Sequence, residues 1–138
     1  MKKLLYIVLI IFCSCVNKIN QNNTLDKDFD VFFKKFASDS IFQKKHMDFP
    51  VIEFYSDEDF PLDIMERTID EETFVFEDFT KDNVANKKVK DAYEIILKKK
   101  KDSVFYQRKG INNYIDVTYC FFFQNNSWYL IEVKDMTD

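Results

Sequence analysis

The sequence predicts an α+β fold, with helices on the N-terminal side packed against an antiparallel sheet. Three observations predict it. Phe29, Phe32, Phe33 and Phe36 recur at the spacing of one buried helical face. After Pro50 the pattern turns β-branched and aromatic, as in "VIEFYS". The chain closes on two apolar runs around Asn125-Asn126, residues that tolerate the positive φ of a tight hairpin turn.

The length of 138 residues supports one domain. Sixteen phenylalanines predict an aromatic-rich core, because each ring buries a large area. A single glycine argues against a glycine-rich phosphate loop. The net charge is −4, and more negative once Lys2 and Lys3 are set aside. Such a balance suits nucleic acid poorly, since that binding rests on phosphate neutralisation. Charge is segregated: the stretch 48–82 is acidic, with Arg67 and Lys81 as its only bases, and 83–110 is basic.

The N-terminus reads as a targeting segment. "MKK" is a basic start, "LLYIVLIIF" an apolar run, and "FCSC" a small-residue cleavage region. The run is too short for a membrane span, which takes about 20 apolar residues. A disulfide between Cys13 and Cys15 would close a strained ring. A metal site finds too few partners, because the remaining cysteine is Cys120 and the lone histidine is His46. "FCSC" resembles a bacterial lipobox. That implies a lipoprotein signal over 1–15, lipid on Cys15 and a location in the cell envelope, at the outer membrane or facing the periplasm. A polar tether over 16–26 and a single domain over 27–138 follow.

Along the domain, the Phe-rich segment predicts the first helix. Asp39 or Ser40 can cap a second, short helix carrying Ile41 and Phe42. Pro50 ends the helical region and pushes Phe49 toward extended geometry. "VIEFYS", "LDIMERTI" and "TFVFEDF" read as strands, and a further strand is expected from Tyr93 onward. In the terminal hairpin, pairing Gln124 with Ser127 sets Phe123 opposite Trp128 and Phe121 opposite Leu130. Continued strictly, it sets Tyr119 opposite Glu132, Cys120 opposite Ile131 and Thr118 opposite Val133. Both faces are then largely apolar, so each expects a cover. One cover is the Phe-rich helix; the other is a partner, a ligand or further chain.

"FASDSIFQKKHMDFP" and "YCFFFQNNSWYLIEV" together resemble a family of small Gram-negative, Bacteroides-type lipoproteins of unknown function. The residues carrying the resemblance include Phe36, Asp39, Phe42, Gln43 and Pro50 at the front, and Phe121, Phe123, Trp128 and Leu130 at the back. His46-Met47 stands where the family shows arginine before an aliphatic residue. The resemblance implies a nuclear-transport-factor-2-like (cystatin-like) cone: N-terminal helices on a curved antiparallel sheet. It implies no reaction and no cofactor.

Two functional readings follow. The first is a non-enzymatic module that binds a small apolar ligand or a protein partner, a second copy included. Tyr119, Phe121, Phe123, Trp128 and Leu130 are its candidate surface. The second rests on fold analogy: an isomerase- or dehydratase-type enzyme with His46 or Asp48 as general base, since a group titrating near neutrality suits that work. The plain alternative for His46 is a helix C-terminus, where a cation is favoured. Gln43 is expected to hydrogen-bond backbone between helix and strand. "DEDF", from Asp57, lacks the calcium-loop pattern. "KKKK", from Lys98, fits either anionic head groups or a soluble edge-strand end. Cys120 reads as a buried, inert thiol.

Overall fold

The computed structural model describes residues 21–57, 59–60 and 63–137, and the side chains from Asp28 on. The expected signal, Cys15 and the first part of the tether lie outside the described residues. Two helices, α1 (Gln21–Phe36) and α2 (Ser40–Lys45), precede six strands. The strands are β1 (Met47–Ser56), β2 (Ile64–Ile69), β3 (Tyr93–Lys99), β4 (Ser103–Gly110), β5 (Asp116–Gln124) and β6 (Ser127–Asp135). They form one curved sheet in the order β2-β1-β6-β5-β4-β3. No described helix is long and apolar enough to cross a membrane.

The periodicity of the phenylalanines does what it predicts. Phe29, Phe32 and Phe36 are buried and Phe33 packs against them, while Val31 on the opposite face is 75% exposed. Phe29 meets Phe121 and Trp128 edge-on at 5.4 and 5.1 Å, and Phe36 meets Phe121 at 5.1 Å. Each such pair adds about 1 kcal/mol beyond simple burial. The helix starts earlier than expected, so residues 21–26 of the supposed tether are helical. Propagation explains this: once the Phe face is docked, each added residue gains a backbone hydrogen bond at little cost.

Asp39 caps α2, its carboxylate accepting from the Phe42 N–H at 2.9 Å. β1 then runs parallel to β6, so the sheet is mixed rather than purely antiparallel. The β1–β6 ladder shifts register between Met47 and Ile52, and Pro50, which has no N–H to donate, falls within that break. The strand β4 completes the sheet although the sequence reading had not assigned it.

Two expectations are corrected. "TFVFEDF" is no strand: Glu71–Thr73 is a single 3₁₀ turn and residues 74–79 are irregular. Its alternation is that of an extended chain whose partner is a side chain, as described below. The terminal hairpin keeps the expected register from Gln124–Ser127 to Phe121–Leu130, and Asn125 and Asn126 take φ of 50° and 59°. Beyond that a β-bulge at Ile131 shifts the pairing to Cys120 with Glu132 and Tyr119 with Val133. Val133 thereby joins Tyr119 on the helix side, and Glu132 and Lys134 turn outward opposite Cys120 and Thr118. The outer face is accordingly less apolar than strict alternation implies.

Candidate functional site: a charged cavity in the cone

The concave face extends beyond the reach of α1, and the uncovered part forms a cavity of about 530 Å³. Leu130, Val133, Val117 and Tyr119 floor it, and Phe36, Met47 and Phe74 stand around it. The ladder dictates which polar residues enter. Arg67 pairs with Glu53, Glu53 with Val133 and Val133 with Tyr119, which sets all four in one row across the sheet. The next row carries Tyr55, Asp135, Val117 and Arg108.

On the β1–β2 side, Arg67 Nε donates to Glu53 Oε2 at 2.5 Å. The Glu53 side chain is 11% exposed and that of Arg67 60%. The Arg67 guanidinium also lies 4.8 Å from the centre of the Tyr55 ring. The hydrogen bond to Glu53, more than the field of Glu53, Tyr55 and Asp135, raises the Arg67 pKa against the cost of its burial. Asp135 has no ion-pair partner among the described residues; its Oδ1 accepts from the Thr137 N–H at 3.1 Å.

On the β4–β5 side sits a denser network. Arg108 Nε donates to Asp82 Oδ2 at 2.8 Å, and its Nη1 donates to Glu77 Oε1 and to the Tyr119 hydroxyl at 3.0 Å. Tyr119 donates onward to the same Glu77 oxygen at 2.6 Å. Tyr106 and Tyr93 donate to the two oxygens of Asp82 at 2.8 and 2.6 Å. The guanidinium also packs 4.6 Å over the Phe79 ring. Burial opposes the charge on Arg108, yet Tyr119, Asp82 and Glu77 outweigh it and hold the group above its usual range. Burial pushes the Tyr119 and Tyr106 hydroxyls far up, with the carboxylates of Glu77 and Asp82 adding to it. Tyr93 is pushed up to about 12, again chiefly by burial. All three phenols therefore stay protonated and serve as donors.

The network pins the segment between β2 and β3 over the cavity, because Glu77 lies in its irregular part and Asp82 begins the 3₁₀ helix Asp82–Lys87 that follows. Gln43 adds a second tie. Its Oε1 accepts from the Glu77 N–H at 2.9 Å, and its Nε2 donates to the Glu77 carbonyl at 2.9 Å and to the Phe36 carbonyl at 3.0 Å. This is the backbone role expected of Gln43, with an irregular segment in place of a strand.

The other sequence candidates fall elsewhere. His46 caps the C-terminus of α2 but is buried, stacked on Phe42 at 3.9 Å, with Nδ1 2.8 Å from the Phe42 carbonyl. Asp48 is exposed and accepts from Gln124 at 3.2 Å. Neither lines the cavity, so neither is placed to act as base on a ligand there. Phe121 and Trp128 lie beneath α1 and Phe123 packs on Trp128; of the five candidate surface residues, Tyr119 and Leu130 reach the cavity. Cys120 is buried and its thiol is pushed up to about 12, first by burial and then by Glu132. No cluster of metal-ligating side chains occurs among the described residues.

Sequence reasoning missed Arg108, Asp82, Glu53, Glu77 and Asp135. One signal was present: Arg67 and Arg108 are the only arginines among 20 basic residues, and both line the cavity. Arginine is the residue suited to buried, multiply bonded ion pairs.

Comparison with known proteins agrees with this architecture. No curated protein matches the chain. A nuclear-transport-factor-2-like protein from Bacteroides fragilis is 22% identical, with a TM-score of 0.56. The match covers 80% of this chain and 47% of that one, so the chain spans about half the length of this relative. A like-named protein from Cytophaga hutchinsonii is 13% identical over 87% of this chain and 100% of its own, with a TM-score of 0.43. Over residues 8–135 the chain matches a domain of unknown function, DUF4348, and it belongs to that family, with a nuclear-transport-factor-2-like fold.

Proposed function

We propose that the domain is a binding module held at the cell envelope through lipid on Cys15, and that its cavity takes a small, largely apolar ligand. The observation that carries this reading is the cavity itself. Its volume of about 530 Å³ falls in the range of small-molecule sites. Its walls combine apolar side chains with about as many polar ones, several of them already fixed by neighbours, as a preformed site requires. A binding role is favoured over catalysis because His46 and Asp48 lie outside it.

The test is recovery of the occupant. The full-length chain, purified from membranes and denatured, is analysed by mass spectrometry for released small molecules. A Leu130→Trp variant, which fills the cavity, serves as control. A compound released by the wild type and missing from the variant supports the reading. Equal release from both, or none with no stabilisation by any added apolar compound, removes it.

A protein partner is the second reading. It is supported by the outer face, where Ile52 and Phe122 each keep 37% of their surface exposed. Light scattering of the full chain across a concentration series tests the case in which that partner is a second copy.

A further inference from the structure

We infer that the cavity selects ligands with a cationic end, anchored by the Asp135 carboxylate; this rests on the cavity being a ligand site. The lining carries three carboxylates, Glu53, Glu77 and Asp135, against two guanidinium groups, Arg67 and Arg108. Asp82 adds a fourth carboxylate directly behind Arg108. Arg108 is thus over-neutralised, held by two carboxylates and a phenol at once. Arg67 is taken by Glu53. That leaves Asp135, half-buried, as the lining carboxylate with no ion pair among the described residues.

Asp135 is well placed for the task. It pairs with Tyr55 on β1 and with Val117 on β5, and is a diagonal neighbour of Glu53 through the Glu53–Val133 pair. Tyr55 already carries a cation against its ring, that of Arg67. An incoming ammonium would meet Asp135 with Tyr55 and Glu53 beside it, the neighbouring cation, Arg67, being already paired with Glu53, while its hydrocarbon part lay toward Leu130 and Phe36. A carboxylate ligand would instead meet Asp135 and Glu53 in the same recess, where at short range the like charges repel. Such a recess concentrates the field of its walls and enriches ions of opposite sign.

The experiment uses three probes on one scaffold: phenethylammonium, phenethyl alcohol and phenylpropanoate. Each is titrated calorimetrically into the full-length chain in a maltoside detergent. Phenethylammonium is expected to bind about tenfold tighter than the alcohol, the size of one charge-assisted hydrogen bond, and phenylpropanoate weakest. Asp135→Asn should erase the preference for the ammonium over the alcohol, and Asp135→Glu should restore it. Equal binding of ammonium and alcohol, or a preference untouched by Asp135→Asn, overturns the inference while the cavity remains a site. Phenylpropanoate binding best overturns it also, and would put Arg67 at the anchor. Failure of all three probes, with Leu130→Trp without effect on any of them, overturns the inference together with the binding function beneath it.

Discussion

Gln43 holds Glu77 by both of its backbone groups, its amide oxygen on the N–H and its amide nitrogen on the carbonyl, each at 2.9 Å. One buried side chain on α2 thus acts as a one-residue strand for a segment that has no strand partner. The same amide nitrogen reaches the Phe36 carbonyl at the end of α1. Helix end, helix start and the cover of the cavity are joined through a single residue that is 2% exposed.

Replacing Gln43 by leucine keeps the volume and deletes all three bonds. Two carbonyls and an N–H would be left without partners in a mostly dry setting. The expected loss is about 3 kcal/mol, since each buried group stripped of its partner costs about 1–3 kcal/mol. Urea unfolding measures it. A loss well under about 1 kcal/mol would mean that water replaces the amide and that the tie is dispensable.

The Phe-rich face gives a contrast within one helix. Phe36 is 0% exposed and Val31 75% exposed. Phe36→Ala should cost about 3–5 kcal/mol, and Val31→Ala no more than about 0.5 kcal/mol. Similar losses for the two would show that α1 packs by another face.

How far the sequence leads can be followed residue by residue. Phe29, Phe32 and Phe36 announce a buried face because helical period and apolar period coincide. The hairpin is legible from Gln124 back to Phe121, where turn chemistry fixes the register. It stops being legible at Ile131, because Leu130 and Ile131 are adjacent apolar residues that fit either phase, and the pattern alone does not say which of them leaves the ladder. "TFVFEDF" misleads for the opposite reason: its alternation is present, but its partner is Gln43, a residue far off in the sequence. The cavity charges are hidden by phase. In "YQRKG", Arg108 and Lys109 are adjacent bases, and only the facing of Tyr106 tells which one turns inward.

Lipidation of Cys15 is testable without any structure of that region. The mature chain is expected to begin at Cys15 and to carry acyl chains, each buried methylene adding about 0.8 kcal/mol of membrane affinity. Cys15→Ser should move the chain from the membrane to the soluble fraction. Intact-mass analysis decides it: an unmodified N-terminus, or retention unchanged in the variant, refutes the anchor.

Alkaline pH should loosen the fold. The Tyr93, Tyr106, Tyr119 and Cys120 pKa values all lie above their ordinary values of 10.0 and 9.0, with Tyr93 and Cys120 each at about 12. For a group raised on folding, the unfolded chain gives up its proton first. Stability is therefore complete below about pH 9 and falls as pH rises toward about 12. Urea midpoints at about pH 8 and about pH 11 should differ in that sense. Tyr119→Phe removes one titrating group and should flatten the decline. A midpoint constant over that range would contradict the buried donor network.

Arg108 makes the sharpest test of how the cavity is held. It is the cation that neutralises Asp82, whose side chain is 3% exposed, and it ties Glu77 to the sheet at the same time. Arg108→Gln should cost about 3–5 kcal/mol, because a buried carboxylate loses its counter-charge. Arg108→Lys should recover only part of this, since one ammonium cannot serve Asp82, Glu77 and the Tyr119 hydroxyl with the geometry of a planar fork. Adding Asp82→Asn to Arg108→Gln should return some stability, because the stranded charge is then gone; a double-mutant cycle isolates that coupling. Hydrogen exchange gives a local readout that a general loss of stability would not: amides between Glu77 and Asp82 should lose protection in the Arg108 variants well before those of β5 and β6. Uniform loss of protection across the sheet, or additive single and double variants, would mean that Arg108 supports the core at large and does not specifically clasp the cover of the cavity.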